Sequence, residues 1–137
     1  MKKVGILTLN GNTNYGNRLQ NYALQEVIKK LNCRVDCIWF IDSYIKMIKN
    51  SMKRFLIFNN KYNRYRKFYN FSKSNLNIKY YLKKQINNKY DYFIVGSDQV
   101  WNYDFKSFDT NTMFLKFSDY EKNISYSASF GVDTIPN

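Results

Sequence analysis

The chain has 137 residues, with 22 Lys plus Arg against 10 Asp plus Glu, a formal net charge of +12, no His, two Cys, five Gly and one Pro. That length suits one domain burying about two-thirds of the surface its unfolded form exposes, and 45% apolar with 19% aromatic residues excludes a disordered chain. Without His, a His-based zinc or haem site, a Ser-His-Asp triad and a Cys-His dyad are all excluded.

Met1-Lys2-Lys3 followed by Val4 to Leu9 imitates a signal peptide, but the apolar run ends at Asn10 after six residues and no small-residue cleavage site follows. Lys3 to Leu9 reads instead as a buried strand, closed by the turn formers Asn10-Gly11-Asn12-Thr13-Asn14-Tyr15-Gly16. No stretch approaches the roughly 18 to 20 apolar residues of a membrane span, so a soluble cytoplasmic protein is expected. From Asn17 to Leu31 the residues Leu19, Tyr22, Ala23, Val27, Ile28 and Leu31 recur at steps of three and four, with Asn17 and Gln20 spaced as a capping box, predicting an amphipathic helix. Arg34 to Ile41, rich in β-branched and aromatic residues, predicts a second buried strand and completes a βαβ unit. Along extended chain Cys33 and Cys37 are about 13 Å apart, beyond disulfide reach, and read as small apolar residues.

The charge is concentrated in the middle. Thirteen Lys and Arg and no Asp or Glu lie from Lys46 to Lys89, and the rest of the chain carries −1. Ile45, Ile48, Met52 and Phe55, then Phe58, Tyr62, Tyr65 and Tyr69, keep helical spacing interrupted at Asn59-Asn60, predicting two amphipathic helices. Ile78, Leu82 and Ile86 predict a further helix over Asn75 to Asn88, so residues 43–89 read as a basic helical insertion. Tyr90 to Val95 reads as a third strand and Asn123 to Ser127 as a fourth, with a mixed segment between them that includes Thr112 to Phe117. Buried strands joined by crossovers predict an open, mostly parallel α/β sheet. The last strand is followed only by Ala128-Ser129-Phe130-Gly131 and six more residues, so the expectation is the first part of a larger protein.

In such sheets ligands gather at the carboxyl ends of the strands, which singles out three loops. In the first, Gly11 to Gly16 has the spacing of a Walker A start, but Asn17-Arg18 stands where Lys-Ser/Thr is required, which disfavours an NTPase. A Gly-rich loop opening a helix still offers N–H groups to an anion, with Arg18 close by; plain capping by the Asn side chains is the competing reading. The second is Gly96-Ser97-Asp98-Gln99-Val100-Trp101-Asn102. There Asp98 has the chemistry of a general acid or base, Gln99 and Asn102 can hydrogen-bond a ligand, and Trp101 can stack on a sugar face or serve the core. The third, Ser125-Tyr126-Ser127-Ala128-Ser129-Phe130-Gly131, offers close backbone approach to a ligand or tight packing of a central strand.

Taken together, Asn14 to Gln25, Asp91 to Asn102 and Ile124 to Gly131 resemble the amino-terminal part of the polysaccharide pyruvyl transferase family in order and spacing, and Phe114-Leu115-Lys116-Phe117 falls where that family has a similar apolar segment. The resemblance implies a Rossmann-like domain over 1–137, half of a two-domain glycosyltransferase B type fold, with the second domain absent or supplied in trans. It implies transfer of the pyruvyl group of phosphoenolpyruvate, a co-substrate with no further cofactor and no metal, onto a sugar of a polysaccharide or lipid-linked glycan as a ketal. The cell envelope is the implied setting and exopolysaccharide biosynthesis the implied process. The implied site has Asp98 as catalytic residue and Asn12, Asn14, Tyr15, Gly16, Arg18, Gln20, Gly96, Ser97, Gln99, Trp101, Asn102, Ser127 and Ser129 as substrate-binding residues. Because the family's second domain carries the Arg and His residues expected to grip the donor, this chain alone is expected to be an inactive fragment. A non-catalytic glycan-binding module is the alternative. The basic, aromatic middle block also raises nucleic-acid binding, disfavoured because its aromatics keep core spacing, and peripheral contact with the inner face of a membrane. A solvated face enriched in Lys by A/T-rich coding is the plain reading of the same block.

Overall fold

In the computed structural model, which describes residues 1–11, 14–41, 45, 61–83, 86–104 and 109–134, the chain forms an all-parallel sheet of five strands. In chain order the elements are β1 (Lys3–Leu7), α1 (Tyr15–Lys30), β2 (Arg34–Phe40), α2 (Lys61–Asn75), β3 (Ile78–Tyr81), β4 (Tyr92–Asp98), the short α3 (Thr110–Met113) and β5 (Asn123–Ala128). The spatial order is β3-β2-β1-β4-β5. The chain winds outward from β1 through β2 to β3, returns to place β4 on the other side of β1, and continues outward to β5. That reversal between β1 and β4 is the Rossmann-type switch point, where the flanking crossovers leave in opposite directions and open a crevice at the strand ends.

Both faces of β1 and β2 are covered, which is why they read as continuous apolar runs rather than alternating ones, whereas the edge strands β3 and β5 are largely exposed. Val4, Ile6 and Val35 face Leu24 and Ile28 of α1. On the opposite face Leu7, Ile38, Phe40, Phe93 and Val95 pack with Leu9, Ile86, Tyr90, Val100, Met113 and Leu115. Gly5 lies on that second face, where an added Cβ would meet Ile38 Cδ1 at 2.2 Å, so glycine lets the Ile38 side chain cross β1. Toward the amino ends of the strands, Asp36 is fully buried, with Tyr90 donating to it at 2.8 Å and Asn77 at 2.6 Å, and Lys3 Nζ forming an ion pair with it at 3.4 Å. Burial and its bonds to Tyr81 and Asp36 hold the Tyr90 phenol well above its usual range.

Three expectations are corrected. Residues 78–81 form strand β3, paired with β2 from Cys37↔Ile78 to Phe40↔Tyr81, and not the middle of a helix. The spacing of Ile78, Leu82 and Ile86 mimics a helix, but α2 stops at Asn75 and the aromatic, β-branched Ile78-Lys79-Tyr80-Tyr81 completes the open edge of β2. The sheet therefore has five strands, not four. Second, α1 is capped by Asn14, whose side chain accepts from Gly16 N at 2.8 Å; Asn17 lies in the first turn and Gln20 bonds elsewhere, so there is no capping box. Third, the inward face of α1 is Asn17, Arg18, Asn21, Leu24, Gln25 and Ile28, while Leu19, Val27 and Leu31 are exposed. Two amides of this polar inner face are bonded, Gln25 donating to Asn75 O at 2.8 Å and accepting from Asn77 N at 2.8 Å and Asn21 accepting from Cys37, whereas Asn17 Oδ1 is buried with no hydrogen-bond partner among the described residues. The helix expected from Ile45 to Phe55 lies almost wholly outside the described residues, as does Phe58.

Cys37 faces the same polar layer, its thiol donating to Asn21 Oδ1 at 3.2 Å and Gln25 Oε1 at 3.5 Å, and burial pushes its pKa up to about 12. Both cysteines are free, and Cys33 is partly exposed. A thiolate-seeking reagent at mildly alkaline pH should label Cys33 in the folded chain and spare Cys37, with both labelled in urea. Equal labelling rates for the two under native conditions, read by mass spectrometry, would contradict this packing.

Candidate functional site

The three loops converge because β1, β4 and β5 are neighbours. Parallel pairing carries Leu7 opposite Val95, and Asp98 opposite Ala128, so the carboxyl ends of all three strands open on one side. Thr8, directly after β1, is buried and donates to Ser97 O at 3.2 Å. Gln20, one turn into α1, donates to Thr8 Oγ1 at 2.7 Å, and its carbonyl accepts from the Ser97 hydroxyl in a short contact. Gln20, Thr8 and Ser97 thus tie the first loop to the second across the switch point. Ser97 and Gln20 were legible in the sequence, but Thr8 was hidden at the end of an apolar run.

The end of β4 departs from regular strand geometry. Gly96 has φ +118, Asp98 φ +85 and, on β5, Ser127 φ +47; the Gly96–Ser97 peptide is cis. Left-handed conformations at non-glycine residues cost of the order of 1–3 kcal/mol each and cluster where a site requires them. At Gly96 the reason is spatial as well, since an added Cβ would lie 2.1 Å from Tyr126 O. Asp98 is fixed on its backbone side, its carbonyl accepting from Val100 N at 2.8 Å and Ser129 N at 3.1 Å and its Oδ1 from Gln99 N at 2.8 Å. Gln99 accepts from Asn102 Nδ2 at 3.0 Å and lies against Gly131, where a Cβ would meet Gln99 Cδ at 2.3 Å. The amides of Gln99 and Asn102 are therefore held together beside Asp98.

Trp101 is built into the fold. Its indole N–H donates to Met113 O at 3.1 Å, its ring stacks on Phe114 at 5.5 Å, and Phe130 tilts against it at 5.4 Å. Tyr103 stacks in turn on Phe130 at 5.9 Å. Trp101, read from the sequence as either a stacking platform or a core residue, is thus the interior of a ring ladder whose two ends, Phe114 and Tyr103, are 37% and 45% exposed. Ser127 is exposed at the β5 end, whereas Ser129 supplies backbone groups to Asp98 and Trp101.

The residues of the first loop take other partners. Asn14 spends its carbonyl on the helix cap, and Tyr15 stacks on Phe68 of α2 at 4.4 Å, with the Arg64 guanidinium 5.5 Å above the Tyr15 ring. Arg64 gave no sequence signal. Arg18, only 1% exposed, donates to Asn10 O at 2.9 Å and lies 5.2 Å over Trp39 and 5.9 Å over Phe68. Desolvation lowers its pKa from 12.5 to about 10, so it stays charged at neutral pH. Gly16 occupies the first turn of α1, which contains no acidic residue, so two guanidinium groups approach a helix end that carries no carboxylate of its own. Asn12 lies outside the described residues. Among the described residues no group of three or more His, Cys, Asp or Glu is placed to hold a metal ion, and no helix is long and apolar enough to cross a membrane.

Compared with known proteins, residues 14–137 match the family model for polysaccharide pyruvyl transferase. No curated protein and no solved structure matches the chain.

Proposed function

The chain belongs to the polysaccharide pyruvyl transferase family, and on that premise we propose that the crevice between β1 and β4 is the acceptor side of an active cleft. There a pyruvyl group from phosphoenolpyruvate becomes a ketal on a sugar of a polysaccharide or lipid-linked glycan. The cleft is one between two Rossmann-like domains of glycosyltransferase B type, of which this chain contributes the amino-terminal one. The observation that carries the reading is the bonding of Gln20, Thr8 and Ser97 across the switch point, which brings Asp98 to a crevice rimmed by amides and aromatic rings.

In this reaction the methylene carbon of the enol gains a proton, two acceptor hydroxyls each form a C–O bond to the ketal carbon, and the C–O bond to phosphate breaks. One hydroxyl proton balances the methyl group formed and the other leaves on phosphate. Asp98 is the group in this half with the chemistry to take a hydroxyl proton, and its backbone bonds aim it without occupying its second oxygen. Gln99 and Asn102 position neighbouring hydroxyls, and Tyr103 and Phe114 offer apolar faces to the sugar ring. Arg18 and Arg64, near the start of α1, suit the carboxylate or phosphate of the donor.

In the native enzyme, Asp98→Asn should lower phosphate release from phosphoenolpyruvate with its sugar acceptor by about a hundredfold or more, the scale of a lost general base, with little change in thermal stability. Wild-type turnover in Asp98→Asn would remove Asp98 from the chemistry.

A further inference from the structure

We infer that α2 is a docking surface for an anionic membrane. The helix, Lys61–Asn75, carries five basic residues and no acidic one. Among the described residues it is held down on one side, by Phe68 stacked on Tyr15 and Phe71 set edge-on against Tyr22 of α1, with Ser72 buried beside them. Arg66, Lys67, Tyr69, Asn70 and Lys73 are exposed, and Tyr69 is 61% accessible.

Elsewhere in the described chain several lysines are paired, while Lys30, Lys79, Lys89 and Lys116 are exposed without an ion pair but lie on separate elements rather than on one helix face. Lys2 pairs with Asp91, Lys29 with Glu26, Lys83 with Asp109 and Lys122 with Asp119. Among the described residues Arg66, Lys67 and Lys73 pair with no carboxylate. Unopposed cations gathered on one convex helix face, with an amphipathic tyrosine among them, match the charge and flatness of an anionic lipid surface. A single nucleic-acid strand is matched less well, because it is gripped by successive stacking rings, and of the described α2 rings Phe68 and Phe71 are engaged with α1 and Tyr65 is half-buried, which leaves Tyr69 as the strongly exposed one. Attachment through α2 would hold the chain at the surface where a lipid-anchored acceptor is presented; this role, but not the docking itself, rests on the function proposed above.

The test is co-sedimentation of the chain with phosphatidylcholine vesicles that do or do not contain phosphatidylglycerol. Binding is expected only to the anionic vesicles, weakening steeply with added salt. Each cation at such a surface contributes enough that R66Q/K67Q/K73Q should lower the partition coefficient by on the order of a hundredfold. R66K/K67R/K73R, which keeps the charge, should bind as wild type, and circular dichroism should show all three proteins folded. No sedimentation with anionic vesicles at low salt, equal binding to neutral vesicles, or unchanged binding by the glutamine variant would overturn the inference. So would tighter binding to single-stranded RNA than to the vesicles in the same buffer. None of these readouts requires turnover, so the docking surface can fail while the proposed reaction stands, and the reverse.

Discussion

Gly96→Ala should destabilise the chain by roughly 3 kcal/mol or more, combining a forced left-handed residue with overpacking, and lower its melting temperature by about 10 °C or more. Two costs combine at this position. Gly96 sits at φ +118, where an L side chain is strained, and its Cβ would lie 2.1 Å from Tyr126 O, a backbone atom of the paired strand that cannot rotate away. Relief requires β4 and β5 to part near the pairs Gly96↔Tyr126 and Asp98↔Ala128, displacing Asp98 from the crevice. Gly5→Ala provides the comparison. Its Cβ would also clash, at 2.2 Å, but with the far end of the Ile38 side chain, which can change rotamer. The expected order in urea unfolding is therefore a large loss for Gly96→Ala and about 1 kcal/mol for Gly5→Ala. A Gly96→Ala variant as stable as Gly5→Ala would contradict both the positive φ at Gly96 and its close approach to Tyr126.

The same region shows how much of the molecule could be read from its sequence. Strands β1, β2 and β4 announce themselves because both their faces are buried and their runs are apolar. Ile78–Tyr81 did not, since a four-residue edge strand with the burial of only a partial core segment leaves little pattern, and Leu82 and Ile86 supplied a false helical period. The helix α1 was recognisable, but its orientation was not. Its inner face carries Asn21 and Gln25, whose partners Cys37, Asn75 and Asn77 are distant in sequence, so nothing local marks these amides as satisfied and buried. At the site, the run from Gly96 to Asn102 was legible as a functional loop because so many small and polar residues follow a buried strand. That Trp101 would be consumed by Phe114 and Phe130 depended on a tertiary contact, and the family pattern could not convey it.

Arg18→Met should leave the fold as stable as wild type or more stable by about 1–3 kcal/mol, the usual range for replacing buried charge by apolar volume, while lowering the affinity for phosphoenolpyruvate by at least about tenfold, the loss of one charged hydrogen bond. Arg18 is 1% exposed, and its pKa is depressed from 12.5 to about 10 by desolvation, the largest contribution, against smaller raising effects from Cys37 and Tyr80. For a base, a depressed value means that the folded state disfavours the charged form. The stability linked to that shift is full only above the unfolded value of 12.5, falls away as pH drops toward 10, and is absent at neutral pH, where the folded chain carries the cost of the buried charge. Methionine removes that cost and keeps an unbranched side chain whose sulfur packs well between Trp39 and Phe68. Among what it forfeits are the bond from Nη2 to Asn10 O and the cation near the start of α1. Stability from urea melts at pH 7 and donor binding by calorimetry in the native enzyme separate the two roles. A variant that is less stable by about 2 kcal/mol or more, on the scale of a broken buried network, yet binds phosphoenolpyruvate as wild type would assign Arg18 to structure alone. A variant at least as stable that no longer binds the donor would identify the buried guanidinium as a charge retained for its ligand at the expense of the fold.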